Sequence, residues 1–233
     1  MEHRTYTKIN TLYKRYCEGE LKNCIIIGDY SDKETEYLKD NKWLCYEKID
    51  GTNMSYYWDG HNMEIHGKSE SAQIPAHLLN KMKSIITSEM LADVFPIKYD
   101  ENGNEIPMNI RIYGEGYGKK IQKGGGRYIS NDTDFIVFDI NIDGWWLLPD
   151  AVEEIAKKLG LKVVPFIGEM TIGEAEEYVK NGFKSCISED NTLMAEGLVC
   201  RPKVPLFKRN GERIIVKIKT CDYEALKKKS EKF

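Results

Sequence analysis

The sequence predicts an α+β fold of mostly antiparallel sheets with flanking helices. Short segments alternate apolar and polar residues, as half-buried strands do. Three longer stretches carry apolar residues at helical spacing. Tight turns, Trp58-Asp59-Gly60 and Asn141–Gly144, join neighbouring strand segments as hairpins.

Each element follows from its residues. The segment through Asn41 reads as mixed, with one short strand at Cys24–Ile27 that Gly28 ends. Alternation then predicts strands near 43–48, 54–59, 62–67, 109–115, 134–140, 144–148, 196–201 and 213–219. Ala76–Phe95 places Leu78, Leu79, Met82, Ile85, Ile86, Met90, Leu91 and Val94 at a helical period, which predicts one helix. Asp150 is expected to cap a helix over Ala151–Leu159, with Gly160 as its stop. Thr171 with Glu174 forms a capping box for a helix running to Gly182. Asp100–Glu105 reads as a surface loop or hairpin tip, and Lys227–Lys232 as a solvated basic tail.

Composition narrows the class. The 233 residues carry 34 Lys and Arg against 37 Asp and Glu, a net charge of -3. With 41% hydrophobic and 30% charged residues, the chain is no disordered tail, collagen or small disulfide scaffold. No internal repeat or low-complexity linker divides it, so one domain over 1–233 is expected. No apolar run approaches the ~20 residues of a membrane span. The first twenty residues lack an apolar core, so no secretory signal is expected. Cys17, Cys24, Cys45, Cys186, Cys200 and Cys221 fall at no metal-knuckle spacing. They read as free thiols in a reducing cytoplasm, each a small buried hydrophobe. Nucleic acid, if bound, needs a local basic patch rather than bulk charge.

The sharpest feature is Glu47-Lys48-Ile49-Asp50-Gly51-Thr52-Asn53. A lysine there stands at the end of an apolar strand, before a glycine turn that admits a ligand closely. A free lysine has a pKa of about 10.4, so on the order of one in a thousand is neutral and nucleophilic near pH 7.4. Desolvation, cations or a metal ion lower that value. In Arg213–Lys219, period two puts Ile215, Lys217 and Lys219 on one side and Ile214, Val216 and Ile218 on the other. Two adjacent cations call for an anion such as a polyphosphate, unless they merely guard an edge strand. Arg111, Tyr113 and Glu115 share a face of a strand that ends among glycines. That carboxylate can accept from ribose hydroxyls or help bind a metal. Glu196, before Gly197, costs free energy if buried without a cation or donor. Asp134–Ile140 reads as a buried strand, with Phe138 and Asp139 facing opposite sides. Lys119, Lys120, Lys123 and Arg127 form a basic patch on a glycine-rich loop without the Walker pattern.

The order of these features resembles the covalent nucleotidyltransferases: ATP-dependent DNA and RNA ligases and mRNA capping enzymes. Lys-x-Asp-Gly, Gly-Glu, the aromatic strand, Glu-Gly and Lys-x-Lys follow one another from 47 to 219. The finer resemblance is to RNA ligases of the RNA ligase 2 type, which occur in bacteriophages and as trypanosome editing ligases. It rests on Glu47–Asn53, Tyr117–Gly124, Phe138-Asp139-Ile140, Ala195-Glu196-Gly197 and Arg209–Arg213 followed by Lys217-Ile218-Lys219.

The resemblance implies an ATP-grasp-like nucleotidyltransferase domain. It implies that Lys48 attacks the α-phosphorus of ATP to form lysyl-AMP. Glu47 would meet the adenine through its backbone, with Asp50 and Gly51 beside the nucleotide and Asn53 by the attacked phosphate. Glu115 would bind the ribose and Phe138 would stack on the purine. Glu196, with Glu115, would hold Mg²⁺ or Mn²⁺. Lys217 would meet the α-phosphate and Lys219 a neighbouring one. Lys68-Ser69 stands where the family carries Arg-Thr or Arg-Ser, keeping the charge but losing the bidentate fork. The implied partner is a polynucleotide with 5′-phosphate and 3′-hydroxyl ends, RNA before DNA, and the implied state a monomer. The sequence ends about fourteen residues after Lys219, where relatives usually continue into an accessory domain, so no such domain is expected. Two other readings stand beside this one: a small ATP-dependent DNA or nick-sealing ligase, and an inactive nucleic-acid-binding relative.

Overall fold

Alternating β-branched and aromatic residues build two main sheets, which a computed structural model describes over residues 6–69 and 71–230. In chain order, β1 (Asn10–Thr11), β2 (Tyr13–Arg15) and β3 (Ile25–Tyr30) precede α1 (Lys33–Tyr37) and β4 (Trp43–Glu47). β5 (Thr52–Trp58) and β6 (Met63–Gly67) form a hairpin, followed by α2 (Ala76–Ile85) and α3 (Ser88–Val94). Next come β7 (Ile110–Gly118), β8 (Thr133–Ile142), β9 (Trp145–Trp146), α4 (Pro149–Lys158) and β10 (Lys162–Val163). The last elements are β11 (Phe166–Met170), α5 (Ile172–Asn181), β12 (Gly197–Pro202), β13 (Val216–Lys219) and α6 (Thr220–Ser230).

These elements sort into two units, each with its own core. The first contains Tyr6 and Asp50–Val164. Its strands run in the order β10-β8-β7-β5-β6, with β9 on β8. Only the β10–β8 pair in it is parallel. Met54, Tyr56, Ile112, Phe135 and Val137 turn one face of that sheet toward Leu78, Met82 and Leu91 of α2 and α3 and Val152 and Ala156 of α4. Tyr56 and Phe135 meet at 5.2 Å and 90°, an edge-on arrangement worth about 0.5–1.5 kcal/mol beyond the area it buries.

The second unit contains Thr7–Ile49 and the chain from Pro165. Its sheet runs β1-β13-β12-β4-β11, with β1 parallel to β13 and the other pairs antiparallel. Trp43, Cys45, Leu198, Cys200, Val216 and Ile218 pack against Ile172, Ala175 and Val179 of α5. Ile214, Val216 and Ile218 are buried and Lys217 and Lys219 lie on the opposite face, as the period-two reading expects.

The α+β class and antiparallel character agree with the sequence; several details differ. The helix expected over Ala76–Phe95 breaks at Ile86 and Thr87, both in extended backbone. Thr87 caps α3 by accepting from the Met90 amide at 3.4 Å. The apolar period ran through the break because Ile86 is itself buried. Asp150 is not the cap of α4: Pro149 occupies the first turn after Leu148, and Asp150 follows where a carboxylate favours the helix dipole. The capping box of Thr171 and Glu174 is present, and Gly182 closes α5 at a φ of 73°. The expected strands 144–148 and 213–219 shorten to Trp145–Trp146 and Val216–Lys219. The basic stretch from Lys227 to Ser230 is helix rather than tail, with Lys229 donating to the Glu20 and Lys22 carbonyls; 231–232 lie outside the described residues. Tyr223 and Leu226, one helical turn apart, hold α6 against the core. All six cysteines are free, but only Cys24, Cys45 and Cys200 are buried; Cys17, Cys186 and Cys221 are exposed, in polar loops and a helix start. Among the described residues no helix is long and apolar enough to cross a membrane.

Candidate active site

In the second unit, strand register gathers three charged side chains. Leu198 of β12 stands opposite Glu47 of β4, and Gly197 stands opposite Lys219 of β13. The β4–β12 ladder runs one residue past the strand, the Lys48 amide donating to the Gly197 carbonyl at 2.9 Å. Lys48 and Lys219 therefore flank the residue that precedes β12, which is Glu196. Its Oε2 accepts from Lys48 Nζ at 2.6 Å, and its Oε1 lies 3.1 Å from Lys219 Nζ. Lys48 and Lys219 are the cations that a half-buried glutamate called for; of the expected pair Lys217 and Lys219, Glu196 meets Lys219. Burial, the largest single influence on Lys219, pulls its pKa down, but the bond and charge of Glu196 outweigh that and leave it raised.

The backbone around Glu196 is tightly held. The Thr220 amide donates to the Glu196 carbonyl at 3.0 Å, and Thr220 Oγ1 to the Ala195 carbonyl at 3.2 Å. Gly197 has a φ of 147°, and a Cβ there would stand 1.9 Å from the Ile218 carbonyl oxygen. Only glycine allows β12 and β13 to close beside the carboxylate. Lys217 is one pleat from Lys219, opposite Val199 and, across the parallel pair, Thr11.

Glu47 is 1% exposed. Its Oε2 accepts from the Cys186 amide at 2.8 Å, while its buried Oε1 has no hydrogen-bond partner among the described residues. A buried carboxylate oxygen left so is costly, and a donor brought by a ligand would satisfy it. Burial, then the nearby Glu47 charge, pushes the Cys186 thiol up.

The other motif residues belong to the first unit; the chain passes into it between Ile49 and Asp50, directly after Lys48. The Asp50-Gly51 turn is fixed from three sides. The Asp50 amide donates to Tyr128 Oη at 3.3 Å, and Gln122 Nε2 donates to the Gly51 carbonyl at 2.8 Å. A Cβ on Gly51 would stand 2.3 Å from the Gly116 carbonyl oxygen. Asn53 of β5 is directly opposite Glu115 of β7, so the two share a face. Lys68 is exposed one residue past Gly67, the last residue paired with β5. The basic loop of Lys119, Lys120, Lys123 and Arg127 is exposed around the Gln122 hydrogen bond.

Phe138 corrects an expectation. Tyr113 pairs with Asp139 and Gly114 with Val137, so Phe138 is the extra residue of a β-bulge. The bulge turns Phe138 and Asp139 to the same face rather than to opposite faces, and both meet Tyr6. Tyr6 was missed because an isolated tyrosine in a polar segment has no periodicity. Gln122 was visible only as part of the basic loop. Tyr128 and the Cys186 amide carry no sequence signal of their role.

Glu47, Lys48, Glu196, Lys217 and Lys219 thus sit in one unit, and Asp50, Gly51, Asn53, Lys68, Glu115 and Phe138 in the other. The RNA ligase family model matches residues 41–219, which contain all of them. The chain belongs to the RNA ligase family. Among solved structures, this RNA ligase family chain is similar to a lysine-to-alanine mutant of Naegleria gruberi RNA ligase with ATP and Mn. The match has 18% identity and a TM-score of 0.62, over 84% of this chain and 55% of that one. A second such mutant with ATP and Mn matches at 18% identity and a TM-score of 0.62, over 99% of this chain and 64% of that one. An apo mutant of the same Naegleria gruberi ligase matches at 21% identity and a TM-score of 0.61, over 84% and 55%. The likeness shows a common fold, and the chain spans 55% to 64% of the lengths of these solved chains.

Proposed function

We propose that this protein is an ATP-dependent RNA ligase whose residues 1–233 act as one nucleotidyltransferase domain. It would join a 5′-phosphate to a 3′-hydroxyl through lysyl-AMP and an adenylylated polynucleotide. The observation that carries the reading is the Lys48–Glu196–Lys219 group, standing where the motif order of the family puts its nucleophile, its metal-side carboxylate and its phosphate-binding lysine.

The chemistry follows from these side chains. Lys48 Nζ, once deprotonated, attacks the α-phosphorus of ATP; a P–N bond forms and pyrophosphate leaves. Lys217 and Lys219 offset the roughly four negative charges of the triphosphate and the charge that gathers on the leaving group. Glu47 meets the adenine through its backbone. Asn53 sits by the attacked phosphate, Glu115 takes the ribose and Phe138 the purine ring, with Asp50, Gly51 and Lys68 beside the nucleotide. The 5′-phosphate of the polynucleotide then displaces Lys48 from the adenylate. The 3′-hydroxyl finally attacks the phosphorus of the polynucleotide's own 5′-phosphate; a phosphodiester bond forms and AMP leaves.

A divalent cation fits this donor set in one way. Among the described residues no three His, Cys, Asp or Glu side chains gather as a metal group. Glu196 would therefore give Mg²⁺ or Mn²⁺ few protein oxygens, phosphate and water supplying the rest, as suits Mg²⁺. Bound there, the metal neutralises charge on the reacting phosphates. The partner is a polynucleotide, RNA on the family assignment, and the protein acts as a monomer.

Intact mass after incubation with ATP and Mg²⁺ tests the reading. The wild type gains one AMP and Lys48→Ala gains none. No gain in wild-type protein first shown to be free of AMP would refute adenylyltransfer.

A further inference from the structure

Tyr6 closes an aromatic group on the sheet face opposite the first unit's core. Its ring lies 4.9 Å from Phe138 at 67°, 5.1 Å from Tyr113 at 59° and 5.7 Å from Trp146 at 84°. Tyr113 and Trp146 are themselves 5.5 Å apart. The Tyr6 hydroxyl donates to Asp139 Oδ2 at 2.6 Å, and Asp139 is 2% exposed. Charge-assisted bonds of this kind are stronger than neutral ones, so the anchor is firm.

Phe138 needs such an anchor more than an ordinary strand residue does. It is the bulged residue of β8, without a partner in the β7 register. Gly114 permits the close approach at the bulge, since a Cβ there would stand 2.3 Å from the Ile136 carbonyl oxygen. Ladder hydrogen bonds fix its neighbours, while its own orientation depends on what its side chain meets. Tyr6 meets it at a steep angle, an edge-on contact that sets the tilt of the Phe138 ring.

We propose that Tyr6 is a positioning residue for the nucleotide. Pinned through its hydroxyl to Asp139, it holds the Phe138 ring in the orientation that stacks on the purine. The proposal rests on the adenylyltransfer reading and on Phe138 as its purine-stacking ring.

The test is the rate of self-adenylylation against ATP concentration, with melting curves confirming that each variant is folded. Removing one aromatic contact of this kind is expected to raise the half-saturating ATP concentration about two- to twelvefold in Tyr6→Ala. The limiting rate should stay within about threefold, since Tyr6 touches no reacting group. Tyr6→Phe keeps the ring and loses the anchor, and should fall between Tyr6→Ala and the wild type. The reverse reaction supplies a readout that a merely structural role would not split in this way. Pyrophosphate carries no base, so its half-saturating concentration against the adenylylated enzyme should be unchanged in Tyr6→Ala. A folded Tyr6→Ala with wild-type ATP dependence overturns the proposal, as does an equal weakening toward ATP and pyrophosphate. If Tyr6→Ala does not fold, a folded Tyr6→Phe with wild-type ATP dependence overturns it as well. A wild type that takes up no AMP defeats the enzyme reading itself, a result distinct from either.

Discussion

Gln122 reaches back 71 positions to hold Gly51, its side-chain amide donating to the Gly51 carbonyl at 2.8 Å. Gly51 belongs to the turn just after Lys48, so the basic loop and the start of the nucleotide motif are tied at one point. A single exposed hydrogen bond of this kind contributes about 0.5–1.5 kcal/mol. Gln122→Ala should therefore slow AMP uptake roughly threefold to tenfold, while the melting temperature drops by about 1–6 °C. Single-turnover labelling at saturating ATP measures the first and a thermal melt the second. An unchanged labelling rate would show that Tyr128 and Gly116 hold the turn unaided.

Lys48 and Lys219 share the Glu196 carboxylate, at 2.6 and 3.1 Å. Glu196→Gln keeps the shape and removes the charge. Adenylylation of Lys48 should fall on the order of a hundredfold, the usual cost of one preorganised electrostatic group. Stability should drop by only ~1 kcal/mol, because the side chains of Lys48, Glu196 and Lys219 retain 23%, 17% and 28% exposure. Labelling that stays near the wild-type rate would remove Glu196 from the reaction.

Much of this site was legible because its signals are local. The Lys48 motif, the Glu196-Gly197 step and the alternation that turns Lys217 and Lys219 away from Ile214, Val216 and Ile218 all follow from residue type and period. So does the capping box of Thr171 and Glu174. What the sequence concealed depends on pairing between distant segments. The Phe138 bulge exists only against Gly114 of β7, where close approach displaces the register, and no pattern within Asp134–Ile140 announces it. The parallel β1–β13 pair rests on two residues from each strand, too short for any periodicity. The break between α2 and α3 was hidden by Ile86, which is buried at the break and so continues the apolar period. The basic run of α6 read as a tail because its charges mask the Tyr223 and Leu226 contacts that dock it.

Gly197 admits no side chain where β12 meets β13, a Cβ falling 1.9 Å from the Ile218 carbonyl oxygen. That neighbour is backbone in a paired strand and cannot rotate aside. Gly197→Ala must part the two strands or strain the residue at its φ of 147°, and should cost about 2–4 kcal/mol. Because Lys219 is the residue paired with Gly197, the same shift should draw Lys219 away from Glu196. Urea unfolding should show a lower midpoint, and AMP uptake should fall in the fraction that stays folded. A wild-type midpoint would mean that the strands separate easily here.

The capping box of α5 gives a pH dependence with a defined sign. Thr171 Oγ1 accepts from the Glu174 amide at 3.2 Å, and the Thr171 amide donates to Glu174 Oε2 at 2.7 Å. The bond from the Thr171 backbone, followed by the approach of Lys42, holds the Glu174 carboxyl below its ordinary range. A depressed carboxyl pKa stabilises the folded state fully above the unfolded value of about 4.3, and that contribution is lost as pH falls through the folded value. Glu174→Gln should therefore be less stable than the wild type at pH 7, and the gap should narrow as pH falls below the unfolded value of about 4.3. Thr171→Ala loses the cap at every pH and should cost about 1 kcal/mol throughout. Urea midpoints for the three proteins at pH 7 and pH 3 separate the two effects. A gap between Glu174→Gln and the wild type that persists unchanged at pH 3 would mean that Glu174 acts through packing rather than charge. Because α5 buries Ile172, Ala175 and Val179 against the sheet that carries Lys217 and Lys219, loss of its first turn should also lower the yield of adenylylated protein near the melting temperature.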